Sequence, residues 1–175
     1  INAKYGDGEF AMFCKQIVDP EFNPTEEITD VLIEKREKDF LNAFFNENSV
    51  FSENDKNRMF DTQFVMLFAS TILDGDYFGR STSINTYLEK YNSQFSNYQL
   101  ILDKLKYSIE VVSQINFPAS TFWFNKANLF TLLYELTKLD KANINIENLE
   151  LKLLDLETKS DIYFTADDTT GISED

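Results

Sequence analysis

Residues 52–74 read SENDKNRMFDTQFVMLFASTILD, and this stretch decides the fold class. Ser52 is a good N-cap residue. Glu53 and Asp55 follow it in the first turn, where the positive end of a helix dipole favours acidic side chains. From Phe64 onward the pattern is apolar nearly all round, as is typical of a helix surrounded by other helices. We therefore predict one apolar helix over about 52–74, at the centre of the domain.

Helical spacing also dominates the rest of the chain. Apolar residues recur at intervals of three and four from Phe10 to Ile17, and again from Ile146 to Leu156. About seven such segments can be counted, and none alternates convincingly as a strand does. The sequence therefore predicts an all-α fold, an irregular bundle of about seven helices. The residues predicted for its core include Phe64, Leu67, Phe68, Trp123 and Phe130.

The second of these helices is predicted to begin behind Pro24. Thr25 would serve as its N-cap, with Glu26 and Glu27 in the first turn. Ile28 and Leu32 would then open its buried face, which continues to Phe45, and a break near 34–37 is an alternative.

The length of 175 residues fits one domain, which is large enough to fold around its own core without disulfides or metal. We assign 1–164 to a single helical domain and expect 165–175 to be an acidic, frayed tail. The chain opens at Ile1 without a methionine and enters a helical pattern by residue 9. We therefore expect it to be a fragment of a larger protein.

The composition argues against several classes of function. The chain has 30 acidic and 16 basic residues, a net charge of −14, no histidine and one cysteine. Nucleic-acid binding draws most of its affinity from Lys and Arg on phosphates, so this chain should bind DNA weakly by itself. Histidine-based catalytic sites and cysteine-cluster zinc sites are excluded, and no glycine-rich phosphate loop is present. We therefore predict no catalytic and no metal-binding residues in this chain.

Two further features bear on cofactors and location. Asp74 and Asp76 flank Gly75, and such a carboxylate pair could hold Mg²⁺, although exposed acidic turns are far commoner. Cys14 is alone, which fits a reducing cytoplasm, and it is predicted to be a small core residue. No apolar run approaches the length of a membrane span, so no membrane partner is expected.

Segments of this chain resemble a known family. Residues 2–10 are similar to that family's R-N-A-(K/I)-(F/Y)-x-G-x-F stretch, and 58–75 to its R-x-x-D-x-(E/Q) helix with the apolar positions that follow. Residues 84–91 resemble its next helix, which has aromatic residues at the positions of Tyr87 and Tyr91, and 122–136 resemble its late apolar helix. The family is that of the GmrSD-like proteins, domain-of-unknown-function family 262.

The resemblance implies that this chain takes no direct part in the reaction that the family catalyses. In this family an N-terminal ParB/sulfiredoxin-like domain is linked to nucleotide-stimulated DNA cleavage in modification-dependent restriction. The family's Asp-Gly-Gln-Gln-Arg motif is absent here and would lie upstream of Ile1, and a His-Asn-His nuclease cannot be present without histidine. The resemblance therefore implies a helical accessory domain that packs on that N-terminal domain. Nucleotide, Mg²⁺ and DNA would be bound by the parent protein.

Three polar residues are candidates for contacts within or between domains. Arg58 and Asp61 are spaced i, i+3 and share a helix face, so they could form a local ion pair. Alternatively, each could bind a loop or another domain, and Arg80 could join them.

A second reading of the chain starts from its 17 Phe, eight Tyr and one Trp. This excess would also suit a stand-alone helical module that binds a partner helix or an apolar ligand.

Overall fold

The computed structural model describes residues 8–77 and 80–168, and the side chains of 80–83, 141 and 161–168 are outside that description. Within it the chain forms eight α-helices and no strand, so the predicted all-α bundle is confirmed. The helices are α1 Glu9–Val18, α2 Lys35–Glu47, α3 Glu53–Asn57, α4 Phe60–Asp74, α5 Arg80–Lys90, α6 Tyr98–Val112, α7 Lys126–Leu136 and α8 Ile146–Asp168. Short 3-10 helices, Phe122–Phe124 and Lys141–Asn143, precede α7 and α8.

Helix α4 lies at the centre of the bundle, in contact with α1, α3, α5 and α7. Phe68 is fully buried, and its ring centroid lies 6.4 Å from that of Phe130 in an edge-to-face arrangement. Phe64, Phe68 and Trp123 are buried, as predicted for core residues. Leu67 and Phe130, also predicted for the core, are half-buried at the margin of the core.

The predicted helix over 52–74 is divided in two. Ser52 and Asp55 form a capping box that starts α3, as the sequence indicated, but α3 ends at Asn57. Met59 adopts a left-handed conformation with φ 57°, and α4 begins immediately after it. The left-handed backbone conformation costs a non-glycine residue about 1–2 kcal/mol of conformational energy. That conformation reorients the chain between α3, which is held by Asp55, and the apolar helix α4.

The prediction of a helix starting behind Thr25 is wrong. After a turn at 25–29 the chain runs without helical structure to Glu34, and α2 begins at Lys35. Ile28 is 58% exposed and Leu32 37% exposed, whereas the alternate residues Thr29, Val31 and Ile33 are buried. The segment thus buries every second residue, as an extended chain does.

Two buried side chains of α1 hold this extended segment. The amide of Gln16 donates to the Val31 carbonyl at 2.8 Å and accepts from the Ile33 N–H at 3.1 Å. One carboxylate oxygen of Glu9 accepts from the Thr29 hydroxyl at 2.5 Å. Since backbone groups buried without partners are costly, these bonds replace the ones that a helix would have supplied.

The amino end of α1 rests directly on the carboxyl end of α5. The N–H groups of Glu9 and Phe10 donate to the carbonyls of Asn92 and Tyr91, at 3.0 and 3.3 Å. A Cβ atom at Gly8 would lie 2.7 Å from the side-chain oxygen of Asn92 and 3.0 Å from its Cα. A larger residue at this position would therefore press on Asn92, so glycine favours the close approach of the two helix ends.

Helix α8 closes the domain. Asn145 caps it, since its side-chain oxygen accepts from the Asn148 N–H at 2.8 Å. The Trp123 indole N–H donates to the Leu153 carbonyl at 3.2 Å, and Glu157 accepts from the Phe122 N–H at 2.7 Å. The helix continues through 165–168, where the frayed tail was predicted to begin, and 169–175 lie outside the described residues.

None of the described helices combines the length and the apolar character that crossing a membrane requires.

Candidate functional site

The structure separates the polar residues that the sequence singled out. Arg58 is exposed in the break between α3 and α4, with its guanidinium carbon 4.6 Å from the centroid of the Phe60 ring. Asp61 is buried in the first turn of α4, where one carboxylate oxygen accepts from the Thr62 N–H at 2.6 Å. Within the described residues no ion pair joins Arg58 to Asp61. Arg80 is the first residue of α5, and its side chain lies outside the described part.

Asp61 is held in an unfavourable environment for a charge. Burial raises the pKa of its carboxyl above the ordinary value, and the negative charge of Asp19 adds to that effect. The hydrogen bond from Thr62 acts in the opposite direction. A carboxyl whose pKa is raised on folding lowers stability once the pH exceeds its unfolded pKa, because the folded state then holds a disfavoured charge.

Other buried charged groups fix loops and helix ends. The Lys38 ammonium donates to the Phe22 carbonyl at 2.6 Å and to the Asn23 side-chain oxygen at 2.8 Å. Burial lowers the pKa of Lys38, whose stem is covered by the loop that it closes. These bonds tie the turn after α1 to α2, next to the extended segment.

Asp55 joins the start of α3 to the start of α7. One of its carboxylate oxygens accepts from the Ser52 N–H at 2.9 Å, and the other accepts from the Lys126 ammonium at 2.7 Å. Asp55 is 7% exposed. The hydrogen bonds from Lys126 and then from Ser52 lower the pKa of its carboxyl to about 2.

This geometry makes stability depend on pH. A lowered carboxyl pKa contributes stability that is present above the unfolded pKa of 3.8 and is lost as the pH falls through about 2. We expect Asp55→Asn to reduce the unfolding free energy by about 1–2 kcal/mol near neutral pH, since the Lys126 side chain is partly exposed and the pair is screened. The difference in unfolding free energy between Asp55→Asn and the unmodified protein should shrink toward zero as the pH approaches 2.

Urea unfolding at several pH values measures this difference. Asp39→Asn is the control, because Asp39 pairs with Lys35 on an exposed surface of α2. A deficit for Asp55→Asn that stays constant between pH 7 and pH 2 would contradict the role given to its charge.

Of the two carboxylates at 74 and 76, one is already engaged within the fold. Asp74 accepts a short hydrogen bond from the Tyr87 hydroxyl, so it already serves the contact between α4 and α5. Nearby, the Tyr77 hydroxyl donates to Glu135 at 2.7 Å, and the Lys138 ammonium lies 4.3 Å from the centroid of the Tyr134 ring. Within the described residues, no group of three or more acidic or cysteine side chains is placed to hold a metal ion.

A groove that the sequence did not reveal lies where α2 and α6 both end. It has a volume of about 400 Å³. Its walls combine aromatic rings with short polar side chains, and they come from α2, the end of α6 and the segment after it: Phe40, Ala43, Phe44, Glu47, Asn48, Val112, Ser113, Ile115, Asn116, Phe117 and Phe124. We call it the α2–α6 groove. Its volume is within the range of ligand sites in proteins.

Aromatic contacts and one hydrogen bond from α8 connect the residues of the α2–α6 groove. The Phe117 and Phe124 rings meet edge to face at 5.6 Å, and Phe124 contacts Phe44 at 6.2 Å. The Asn116 N–H donates to Glu150 of α8 at 2.9 Å. Helix α8 thus supports one wall of the groove from behind.

No protein-family model, curated protein or solved structure matches this chain.

Proposed function

We propose that this chain is a cytoplasmic, non-catalytic helical accessory domain of a larger protein of the GmrSD-like type. It would pack against the nucleotide- and DNA-processing domain of that protein and fix its geometry. The motivation for the family is the set of similar segments described above, of which the 58–75 segment forms the break before α4 and α4 itself.

The observation that carries the proposal is that the buried charged side chains are hydrogen-bonded to other groups of this chain. Glu9, Lys38, Asp55 and Asp61 each bond to groups of this chain. Three of these bonds close loops or join helix ends, which is a structural task. A group so engaged is poorly placed to exchange protons with a substrate, because the reaction would first have to break a bond that holds the fold.

Arg58 offers a contact for a neighbouring domain. Its guanidinium is exposed and lies over the Phe60 ring, which keeps the side chain ordered without neutralising it. A guanidinium in that state can donate two parallel hydrogen bonds to a carboxylate or phosphate.

Incubation of the purified chain with plasmid DNA, Mg²⁺ and nucleotide is expected to give no cleavage. The acidic surface repels DNA, and binding should be no tighter than the ~10⁻⁴–10⁻⁶ M of ordinary non-specific complexes at physiological salt. Gel analysis of the plasmid and fluorescence anisotropy with a labelled duplex measure the two quantities.

Two results would overturn the proposal. One is cleavage that copurifies with the chain and disappears in an Asp74→Asn/Asp76→Asn variant. The other concerns the family alone: the coding sequence upstream of residue 1 should encode an Asp-Gly-Gln-Gln-Arg-like motif, and its absence would remove the GmrSD-like assignment.

A further inference from the structure

The extended segment before α2 has one edge that bonds to α1 and one that does not. The Gln16 amide bonds to the Val31 carbonyl and the Ile33 N–H. In an extended chain the N–H and C=O of one residue point to one edge, and those of the next residue point to the other. The Leu32 N–H and C=O therefore point away from Gln16, and within the described residues neither of them has a hydrogen-bond partner.

Water reaches this second edge. Backbone groups that are buried without a partner are costly, so unpaired ones persist where solvent replaces the missing bond. Leu32 is exposed, as are Asp30 and Glu34 on the same face of the segment. An unpaired edge of this kind is a template for pairing with another extended chain. We call the Leu32 N–H and C=O, together with the exposed side chains of 28–34, the open edge.

The open edge is acidic and partly apolar. Residues 25–34 contain no basic residue, and their acidic residues are Glu26, Glu27, Asp30 and Glu34. All of these are exposed, and among the described residues their carboxylates form no ion pair or hydrogen bond. Of the two basic residues that follow, Lys35 is paired with Asp39, which leaves Arg36 to offset them. Ile28 and Leu32 alternate with the carboxylates of the edge and are exposed too.

We propose that the open edge binds an extended segment of a partner polypeptide in which basic and apolar residues alternate. The partner's backbone would pair with the Leu32 N–H and C=O and lie beside the segment as a second strand. Its basic side chains would lie opposite Asp30 and Glu34, because side chains directly across a strand pair interact. A second copy of this chain is a poorer occupant, since two acidic segments would place like charges side by side. This surface does not depend on the GmrSD-like assignment.

The probe is a capped Thr-Lys-Thr-Val-Thr-Lys-Thr peptide, which matches the open edge in either direction, titrated into the ¹⁵N-labelled full chain. We expect saturable shift changes at the Leu32 amide, and slower hydrogen exchange there at saturation. The Ile33 amide is the internal reference, because it already donates to Gln16, and its exchange should change much less. Exchange at Leu32 that is equal with and without saturating peptide would overturn the proposal.

Methylated peptides separate backbone pairing from simple attraction between charges. N-methylation removes the backbone donor of the central valine in one peptide, and that of the threonine after it in another. Since successive N–H groups of a strand point to opposite edges, one of these two peptides should bind about fivefold or more weakly and the other about as well as the parent. Equal affinities of the two methylated peptides would contradict pairing at the open edge.

The charge of the partner is tested by exchanging both lysines of the peptide for glutamate. This peptide should bind about fivefold or more weakly, since it meets Asp30 and Glu34 with like charges. Equal binding would overturn the basic partner. Protection of the Leu32 amide that grows with protein concentration in the absence of peptide would identify a second copy as the occupant, and would overturn the basic partner as well.

Leu32→Pro is the decisive variant of the protein. Proline removes the N–H that the partner would use, and an open edge tolerates proline because no hydrogen bond within the fold is lost. Peptide binding should be lost, whereas circular dichroism should show an unchanged helix content. Leu32→Ala is the matched control, since it keeps the N–H, and it should bind within about fivefold of the unmodified chain. Equal binding by the two variants would contradict the role given to that N–H.

Discussion

Phe68→Ala is expected to lower the free energy of unfolding by about 3–5 kcal/mol, since it removes a fully buried ring from the central helix α4. That is a large share of the ~5–15 kcal/mol that stabilises a typical domain. The loss includes the contact with the Phe130 ring and the cavity that the alanine leaves. Urea unfolding followed by circular dichroism measures the change.

The controls separate burial from the simple loss of side-chain atoms. Leu151→Ala truncates an apolar side chain of α8 that is 69% exposed, and Lys56→Ala removes a partly exposed amine that pairs with Glu53. The free energies of unfolding of both variants should lie within about 0.5 kcal/mol of that of the unmodified protein. Midpoints that coincide for Phe68→Ala and Leu151→Ala would show that α4 does not occupy the centre of the domain.

Gln16→Met is expected to destabilise the domain by about 2–4 kcal/mol, because it leaves the Val31 carbonyl and the Ile33 N–H buried without partners. Methionine matches the length of glutamine, so the change removes the two hydrogen bonds with little change in volume. The same variant should release the extended segment before α2, which makes hydrogen exchange at the Ile33 amide much faster.

Gln114→Met provides the matched control. Gln114 is exposed after α6, and its amide donates to the Glu110 carbonyl at 2.8 Å. It should change stability by less than about 0.5 kcal/mol. If Gln16→Met left the exchange of Ile33 unaffected, the anchoring role of Gln16 would be wrong.

Local sequence signals predicted the helices well where the pattern and the caps agreed. Ser52 caps α3 through its side chain, as its position indicated. The apolar residues from Phe10 to Ile17 are buried in α1 as their spacing indicated, and of the whole helix only Lys15 is not buried. These features depend on residues close together in the chain, which is why one sequence suffices to find them.

The extended segment at 29–33 could have been recognised and was not. Thr29, Val31 and Ile33 are β-branched and alternate with polar or exposed residues, which is typical of an extended chain. The N-cap signal at Thr25 outweighed this alternation. Side chains of α1, more than a dozen residues earlier in the chain, hold this segment through hydrogen bonds. The pattern of a single sequence does not reveal such long-range bonds.

The break at Met59 and the α2–α6 groove were not predictable in the same way. No glycine or proline marks the break at 58–59, so a continuous helix was the natural interpretation. The groove brings Asn48 and Ser113 together from opposite parts of the chain. Its walls meet only after the bundle has formed.

Trp123 gives this protein an optical reporter for one boundary of the bundle. It is the only tryptophan in the chain, and its indole N–H donates to the Leu153 carbonyl on α8. Its emission therefore reports the docking of α8, whereas circular dichroism reports the helices as a whole. Since α8 also bonds to Asn116 in the wall of the α2–α6 groove, the fluorescence of a single indole monitors the support of that groove without any added label.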